Sequence, residues 1–223
     1  MDLILCAAAA FSVAVSVYGT ARLFKRKEPL YFKMIVCANW CYTAQILYQL
    51  CLLVCVGSDG SYGDSVLSGL GLNAYAAFVF AANYGPFDSI IDAGNNKYKK
   101  TRFIAFASPV LFLALTAVVI VLWSNTGEKL IEIIGYMLIS CSIMPWCVYY
   151  NFKYLLINED DPFIRGVRPV NLCSLLFCFA AIGEIIAKVQ EHGTIADIFM
   201  YVMILLSAAT VFAADWGRRK WRS

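Results

Sequence analysis

Charged side chains are scarce in this chain. Only 15% of its 223 residues are Asp, Glu, Lys or Arg, whereas a soluble domain usually carries about 25%. Hydrophobic residues make up 61% of the sequence, and the mean hydropathy is +0.69. A composition this apolar excludes an ordinary soluble domain and indicates an integral membrane protein.

Histidine and the short motifs of common enzymes are also missing. The single histidine, His192, falls in a predicted outer loop, so a metal site built on histidines is excluded. The sequence contains no HExxH, GxSxG, Walker-type or CxxC motif. The last apolar segment contains no lysine to hold a retinal chromophore. We therefore expect no cofactor, no metal and no catalytic residue, and an enzyme is the less favoured class.

Long apolar runs are abundant. A helix needs about 20 apolar residues to cross the hydrocarbon core of a bilayer, and seven segments approach or reach that length. The nine cysteines all lie within apolar runs, where we expect free thiols that pack as small hydrophobes. The predicted spans are Leu3–Leu23, Phe32–Val56, Ser65–Phe87, Phe103–Trp123, Ile131–Phe152, Val170–Ala187 and Ile195–Ala214.

The positions of the basic residues predict the orientation of the chain. If the amino terminus lies outside, all of the 18 Lys and Arg fall in inside segments except Lys129 and Lys188, as the positive-inside rule requires. We predict an all-α, polytopic, seven-transmembrane-helix bundle that forms one domain over residues 1–223. Its amino terminus lies outside, its carboxyl terminus is cytoplasmic, and it is a multi-pass protein of the plasma (cytoplasmic) membrane.

Polar side chains form seams on two of the predicted spans. Tyr42, Gln45 and Gln49 share one face of the second span, and Asn73 lies on a similar face of the third. Unpaired amides are unfavourable in hydrocarbon, so both faces should point into the bundle. Hydrogen bonds between helices would explain the seams. Together with Glu184, the same residues would also form a ligand-binding pocket that opens to the outer face.

Two prolines suggest hinges. Gly85 and Pro86 stand near the inner end of the third span, and Pro145 interrupts the fifth, where proline removes a backbone donor and clashes with the preceding turn. We expect Ser140 and Ser142 to compensate locally for the donor that Pro145 lacks.

The two ends of the bundle differ in charge. Acidic residues dominate the outer segments and would favour a cationic or polar ligand there, although Glu184 and Lys188 are spaced for a solvated salt bridge. On the inner side, Asp88 and Asp92 are expected to be solvated beside the lysines that follow them. The basic, tryptophan-containing stretch after Asp215 predicts an anchor on anionic lipid.

Three function classes remain after these exclusions. The favoured one is a sensor or receptor-like module that binds a small-molecule ligand or a membrane protein partner. The alternative is a facilitator for a small neutral or cationic solute, because the centres of the spans lack the charges of an ion-coupled pump. A lipid-modifying enzyme based on Asp88 and Asp92 is the least favoured. The lipid bilayer is the expected surrounding, and no nucleic acid is needed to explain the basic clusters.

The predicted architecture resembles that of two classes of membrane protein. The seven-helix layout with basic inner loops resembles the membrane input modules that precede kinase or cyclase domains in bacterial signalling proteins. It also resembles small seven-helix facilitators, although this sequence has no paired proline-glutamine repeat and no clear internal duplication.

Overall fold

The computed structural model describes residues 2–24, 28–56, 62–85, 88, 92, 94–157 and 162–220. Within these residues the chain is helical and has no β-strand. A short 3-10 turn, Asn96–Tyr98, leads into the fourth α-helix. The α-helices are α1 (Asp2–Leu23), α2 (Leu30–Val56), α3 (Tyr62–Asn83), α4 (Lys99–Ala105), α5 (Ala107–Ser124), α6 (Leu130–Cys141), α7 (Met144–Leu156), α8 (Pro162–Val189) and α9 (Gly193–Lys220).

These helices form seven rods, one for each predicted span, because α4 runs into α5 and α6 runs into α7. Five of the rods are long and apolar enough to cross a membrane. These candidate spans agree with the prediction of a helical membrane protein. They are Ile4–Leu23, Asn96–Ser124, Leu130–Leu156, Ile164–Val189 and Gly193–Arg219.

Several helices are longer than the predicted spans. The prediction placed a loop up to Pro169, but α8 begins at Pro162 and Pro169 lies inside it. Proline fits the first helical position because the amide there has no intrahelical acceptor. The last helix, α9, continues to Lys220 through residues that had been assigned to a lipid-anchoring tail. All nine cysteines are free, as expected.

The rods pack as one bundle around α3, α7, α8 and α9. The α8–α9 hairpin has the most extensive interface, α1 packs at one edge against α2 and α9, and the α4/α5 rod packs at the other edge against α7 and α8. One end of the bundle carries Glu28, Asp88, Lys153 and Arg218; we call it the basic end, because most of the lysines and arginines lie near it. It is the end predicted to face the cytoplasm.

An aromatic cluster fills the centre of the bundle. The Tyr75 ring stacks on Phe177 with centroids 3.9 Å apart, and Tyr42 meets Phe177 edge-on at 4.9 Å. All three residues are almost completely buried. The Tyr75 hydroxyl is 3.1 Å from that of Thr210, so the cluster ties α2, α3, α8 and α9 together.

The close approach of α8 and α9 depends on glycine. A Cβ atom at Gly217 would lie 2.5 Å from the carbonyl oxygen of Gly166, which is a backbone atom that cannot move aside alone. We expect Gly217→Ala to lower the free energy of unfolding by about 1–3 kcal/mol, because it overpacks this interface. Thermal unfolding of the purified protein in detergent measures the change.

Gly135→Ala is the matched control. A Cβ atom at Gly135 in α6 would meet nothing within 4 Å, so this variant should gain up to about 1 kcal/mol from helix propensity. Equal effects at the two glycines would contradict the close α8–α9 contact.

Candidate functional site

The predicted pocket residues on α2 lie in two different surroundings. Tyr42 is buried in the aromatic cluster, and its hydroxyl donates to the Met200 carbonyl oxygen at 3.4 Å. Gln45 is buried against α3, where a Cβ atom at Gly71 would lie 2.5 Å from the Gln45 Cβ. Gln49 is half-buried one turn further along. Gln45 also lines a shallow, mostly apolar groove of ≈ 340 Å³ between α2 and α3, together with Cys41, Ala44, Tyr48, Leu70, Gly71 and Ala74.

Glu184 pairs with Lys188, as its spacing predicted. The carboxylate is 2.7 Å from the Lys188 ammonium, which is half exposed. The Glu184 side chain itself is only 3% exposed, so the pair is not a fully solvated one. Glu184 is also close enough to Tyr42 to interact with it electrostatically. Tyr42 on α2 and Glu184 on α8 are thus both buried side chains.

Asn73 bonds to a break in the neighbouring rod. Its Oδ1 accepts from the Ile143 amide at 3.0 Å, and its Nδ2 donates to the Ser142 hydroxyl at 3.0 Å. The helix is interrupted at these two residues because Pro145, in the first turn of α7, has no amide to donate to the preceding turn. Asn73 thus supplies an acceptor for the Ile143 amide at this break, and its amide nitrogen donates to the Ser142 hydroxyl, not to the carbonyl that Pro145 leaves without a donor.

Replacing Asn73 should weaken the contact between α3 and the break that separates α6 from α7. Asn73→Ala leaves the Ile143 amide without its acceptor in a half-buried position, and we expect a loss of about 1–3 kcal/mol in the free energy of unfolding. Ser142→Ala removes only one of the two bonds and should have a smaller effect. Chemical denaturation in mixed micelles compares the two variants, and an equal or larger loss for Ser142→Ala would argue against the role of the Ile143 amide.

Two further contacts continue from Asn73 toward the basic end. Asn83 Nδ2 donates to Asn151 Oδ1 at 2.8 Å between α3 and α7, and both side chains are buried. Beyond α3, Asp88 Oδ1 accepts from the Lys153 ammonium at 2.5 Å and from the Tyr154 hydroxyl at 3.2 Å. We call these three contacts, at Asn73, Asn83 and Asp88, the α3–α7 seam.

Lys153 is the centre of an ion cluster that the sequence analysis missed. Its side chain is 2% exposed and pairs with both Asp88 and Asp92. Arg102 lies 3.2 Å from the other oxygen of Asp92, and the ammonium is 5.3 Å from the centre of the Tyr150 ring. The expectation that the two acids are solvated is therefore wrong for Asp92. Their spacing of four residues was the available signal, since it places both on one side of a helical turn.

A second ion cluster joins the α1–α2 connection to α9. Arg218 pairs with Glu28 and with Asp215, and all three residues are buried. Tyr18 donates to Asp215 at 3.1 Å, and the exposed Arg219 pairs with the same carboxylate. Arg218 therefore binds protein carboxylates, and the lipid-anchor interpretation of this stretch is wrong for that residue.

The residues predicted as hinges lie in different parts of the chain. Gly85 is exposed in a π-helical turn after α3. Pro86 lies outside the described residues. Pro145 stands directly after the break between α6 and α7. In the described part of the chain, no group of three or more His, Cys, Asp or Glu side chains is arranged to hold a metal ion.

These contacts give two kinds of candidate site. Tyr42 and Glu184 belong to the predicted ligand-binding site, whereas the α3–α7 seam and the two ion clusters join helices to one another. Compared with protein-family models, with curated proteins and with solved structures, the chain matches none of them.

Proposed function

We propose that this chain is an integral membrane sensor or partner-binding module with seven spans. Its amino terminus lies outside, its carboxyl terminus is cytoplasmic, and it resides in the plasma membrane. Support comes from the five long apolar rods and from the concentration of basic residues in segments predicted to lie inside. The ligand is a small cationic or polar molecule, or a membrane protein partner, that binds near Tyr42 and Glu184.

The α3–α7 seam is the observation that favours a sensor. It runs from the helix break at Ser142 and Ile143 to the ion cluster at Lys153. A ligand that shifts α3 would have to rearrange these directional contacts, including the one at the basic end. Coupling of this kind needs an element with two discrete arrangements, and the broken helix bonded to α3 is our candidate for that element.

A ligand screen tests this function. Purified protein is heated with cationic and neutral polar compounds, and a binder is expected to raise the Tm and to change amide hydrogen exchange in residues 94–105, beside Arg102. Glu184→Gln should weaken that binding, whereas Arg219→Gln, at the opposite end, should leave it intact. A Tm unaffected by every compound class, in a protein that also purifies without any partner, would count against a sensor.

A facilitator is the second candidate, because the bundle interior contains uncharged polar residues such as Asn39, Asn83 and Asn171. Solute flux into proteoliposomes distinguishes it, since a sensor gives the flux of empty liposomes. A lipid-modifying enzyme is less consistent with the geometry, because Asp88 and Asp92 are held in ion pairs with Lys153 and Arg102.

The orientation has its own test. Reporter fusions after Phe24, after Leu156 and after Lys220 should all report the cytoplasm, whereas fusions after Val56 and after Ser124 should report the outside. If the fusion after Phe24 reports the cytoplasm, a fusion after Leu156 that reported the outside would mean that one of the rods between them does not cross the bilayer.

A further inference from the structure

Asn171 is buried in α8, and its side-chain amide has no hydrogen-bond partner in the described part of the chain. Its side chain is 0% exposed, and neither Nδ2 nor Oδ1 has a hydrogen-bond partner among the described residues. An amide buried in this way is unfavourable by at least about 1–3 kcal/mol. Native structures rarely keep such a group unless a bound molecule satisfies it.

Buried, uncharged polar side chains lie near Asn171 in the bundle interior. Ser174 stands one turn away on the same face of α8 and lies beside the Tyr75 hydroxyl, which in turn contacts Thr210 at 3.1 Å. All four residues are buried. They therefore form a patch of donors and acceptors inside the bundle, contributed by α3, α8 and α9.

Two other buried asparagine side chains also have an atom without a hydrogen-bond partner in the described part of the chain. The Oδ1 atoms of Asn39 and Asn83 have no hydrogen-bond partner among the described residues, although the amide nitrogen of each donates to a neighbour. These are acceptor atoms, so a molecule that satisfies them must donate. Asn171 needs both a donor and an acceptor.

The positions of the charged residues favour a neutral molecule at Asn171. Glu184, further along α8, is 13 residues from Asn171, or about 20 Å at the rise of an α-helix. The Arg218 cluster lies at the basic end and is already internally paired. Arg168, one turn before Asn171 on α8, is half-buried, and its guanidinium donates to the Ile157 carbonyl oxygen at 2.7 Å. An ion at Asn171 would be buried beside the uncharged Ser174 and Tyr75, where unpaired charge is strongly unfavourable.

We propose that Asn171, Ser174 and Tyr75 form a buried site for small neutral molecules that both donate and accept hydrogen bonds, either water or a small polar solute. The site holds whether the chain is a sensor or a facilitator, because it depends on the buried amide and not on flux or signalling. It also explains why an asparagine stands at a fully buried position of α8.

Asn171→Leu is the main test, because leucine has the same branching and the same number of side-chain heavy atoms as asparagine but no polar atoms. If the amide were merely unsatisfied, removing it would raise the Tm of the purified protein. If a bound molecule satisfies it, the variant loses those hydrogen bonds and its Tm should fall by at least about 2 °C. Cys173→Leu, at a half-buried neighbouring position on α8, controls for the added apolar surface. A Tm for Asn171→Leu equal to or above that of the wild type overturns the proposal.

A pair of smaller variants keeps the proposal testable if leucine prevents folding. Asn171→Ser and Asn171→Ala leave nearly the same space, but only serine can bond to the bound molecule, so the serine variant should be the more stable of the two. The reverse order overturns the proposal.

Added solutes distinguish the two sources of the ligand. Glycerol, urea or acetamide that raises the Tm of the wild type more than that of Asn171→Ala identifies a solute site. Equal effects on both proteins, together with a destabilised Asn171→Leu, identify ordered water.

Discussion

Lys153→Met is expected to lower the free energy of unfolding by about 3–5 kcal/mol. Removing one partner of a buried ion pair leaves the other charge uncompensated, and here two carboxylates, Asp88 and Asp92, lose their common ammonium. Arg102, which is partly exposed, still contacts Asp92 but lies 3.2 Å away on its other oxygen. Equilibrium unfolding in detergent, followed by circular dichroism, measures the loss.

Neutralising the acids should reverse most of this effect. In a triple variant with Asp88→Asn and Asp92→Asn added to Lys153→Met, no carboxylate remains unpaired, and replacing a whole ion set with neutral groups is often close to neutral for stability. Lys99→Met, at an exposed position in the same region, should change stability by less than about 0.5 kcal/mol. A triple variant no more stable than Lys153→Met would contradict the proposed role of the ion cluster.

Arg218→Gln is expected to have a similarly large effect, about 3–5 kcal/mol, because it leaves both Glu28 and Asp215 buried without their main cation. The neighbouring Arg219 pairs with the same Asp215 carboxylate, but its side chain is 60% exposed. Arg219→Gln should therefore be nearly silent, since water replaces an exposed cation readily.

The comparison of these two adjacent arginines separates burial from charge, because both substitutions remove one positive charge from the same turn of α9. Thermal unfolding at low and high salt measures both. The defect of Arg218→Gln should persist at high salt, where exposed pairs are screened. Similar Tm values for the two variants would contradict the burial of the Glu28–Arg218 pair.

The helices were predictable because each is encoded by a continuous local run of apolar residues. The break at Pro145 was predictable for the same reason, since proline acts on its own helix. The residue that bonds to this break was not predictable, because Asn73 lies 70 positions away from Ile143 in the sequence. Local patterns contain no information about which helix lies opposite.

The side of the membrane on which each basic residue lies was predicted from the sequence, but the surroundings of these residues in the folded bundle were not. The positive-inside pattern counts Lys153 and Arg218 as ordinary inside residues, although both are buried in ion clusters. A count of basic residues cannot distinguish a lysine facing lipid headgroups from one facing two carboxylates. Burial of Arg218 also requires α9 to continue past the predicted end of the last span, which a hydropathy boundary at Ala214 does not include.

The Glu28–Arg218 contact also has a consequence for the order of biosynthesis. Glu28 lies between α1 and α2, so it leaves the ribosome long before Arg218, and no partner from α9 exists during most of translation. Until synthesis of α9 is complete, this carboxylate must remain hydrated. A chain interrupted before α9 would therefore display at the basic end an acidic group that lacks its Arg218 partner, which is the kind of defect by which membrane quality control could distinguish unfinished chains from assembled ones.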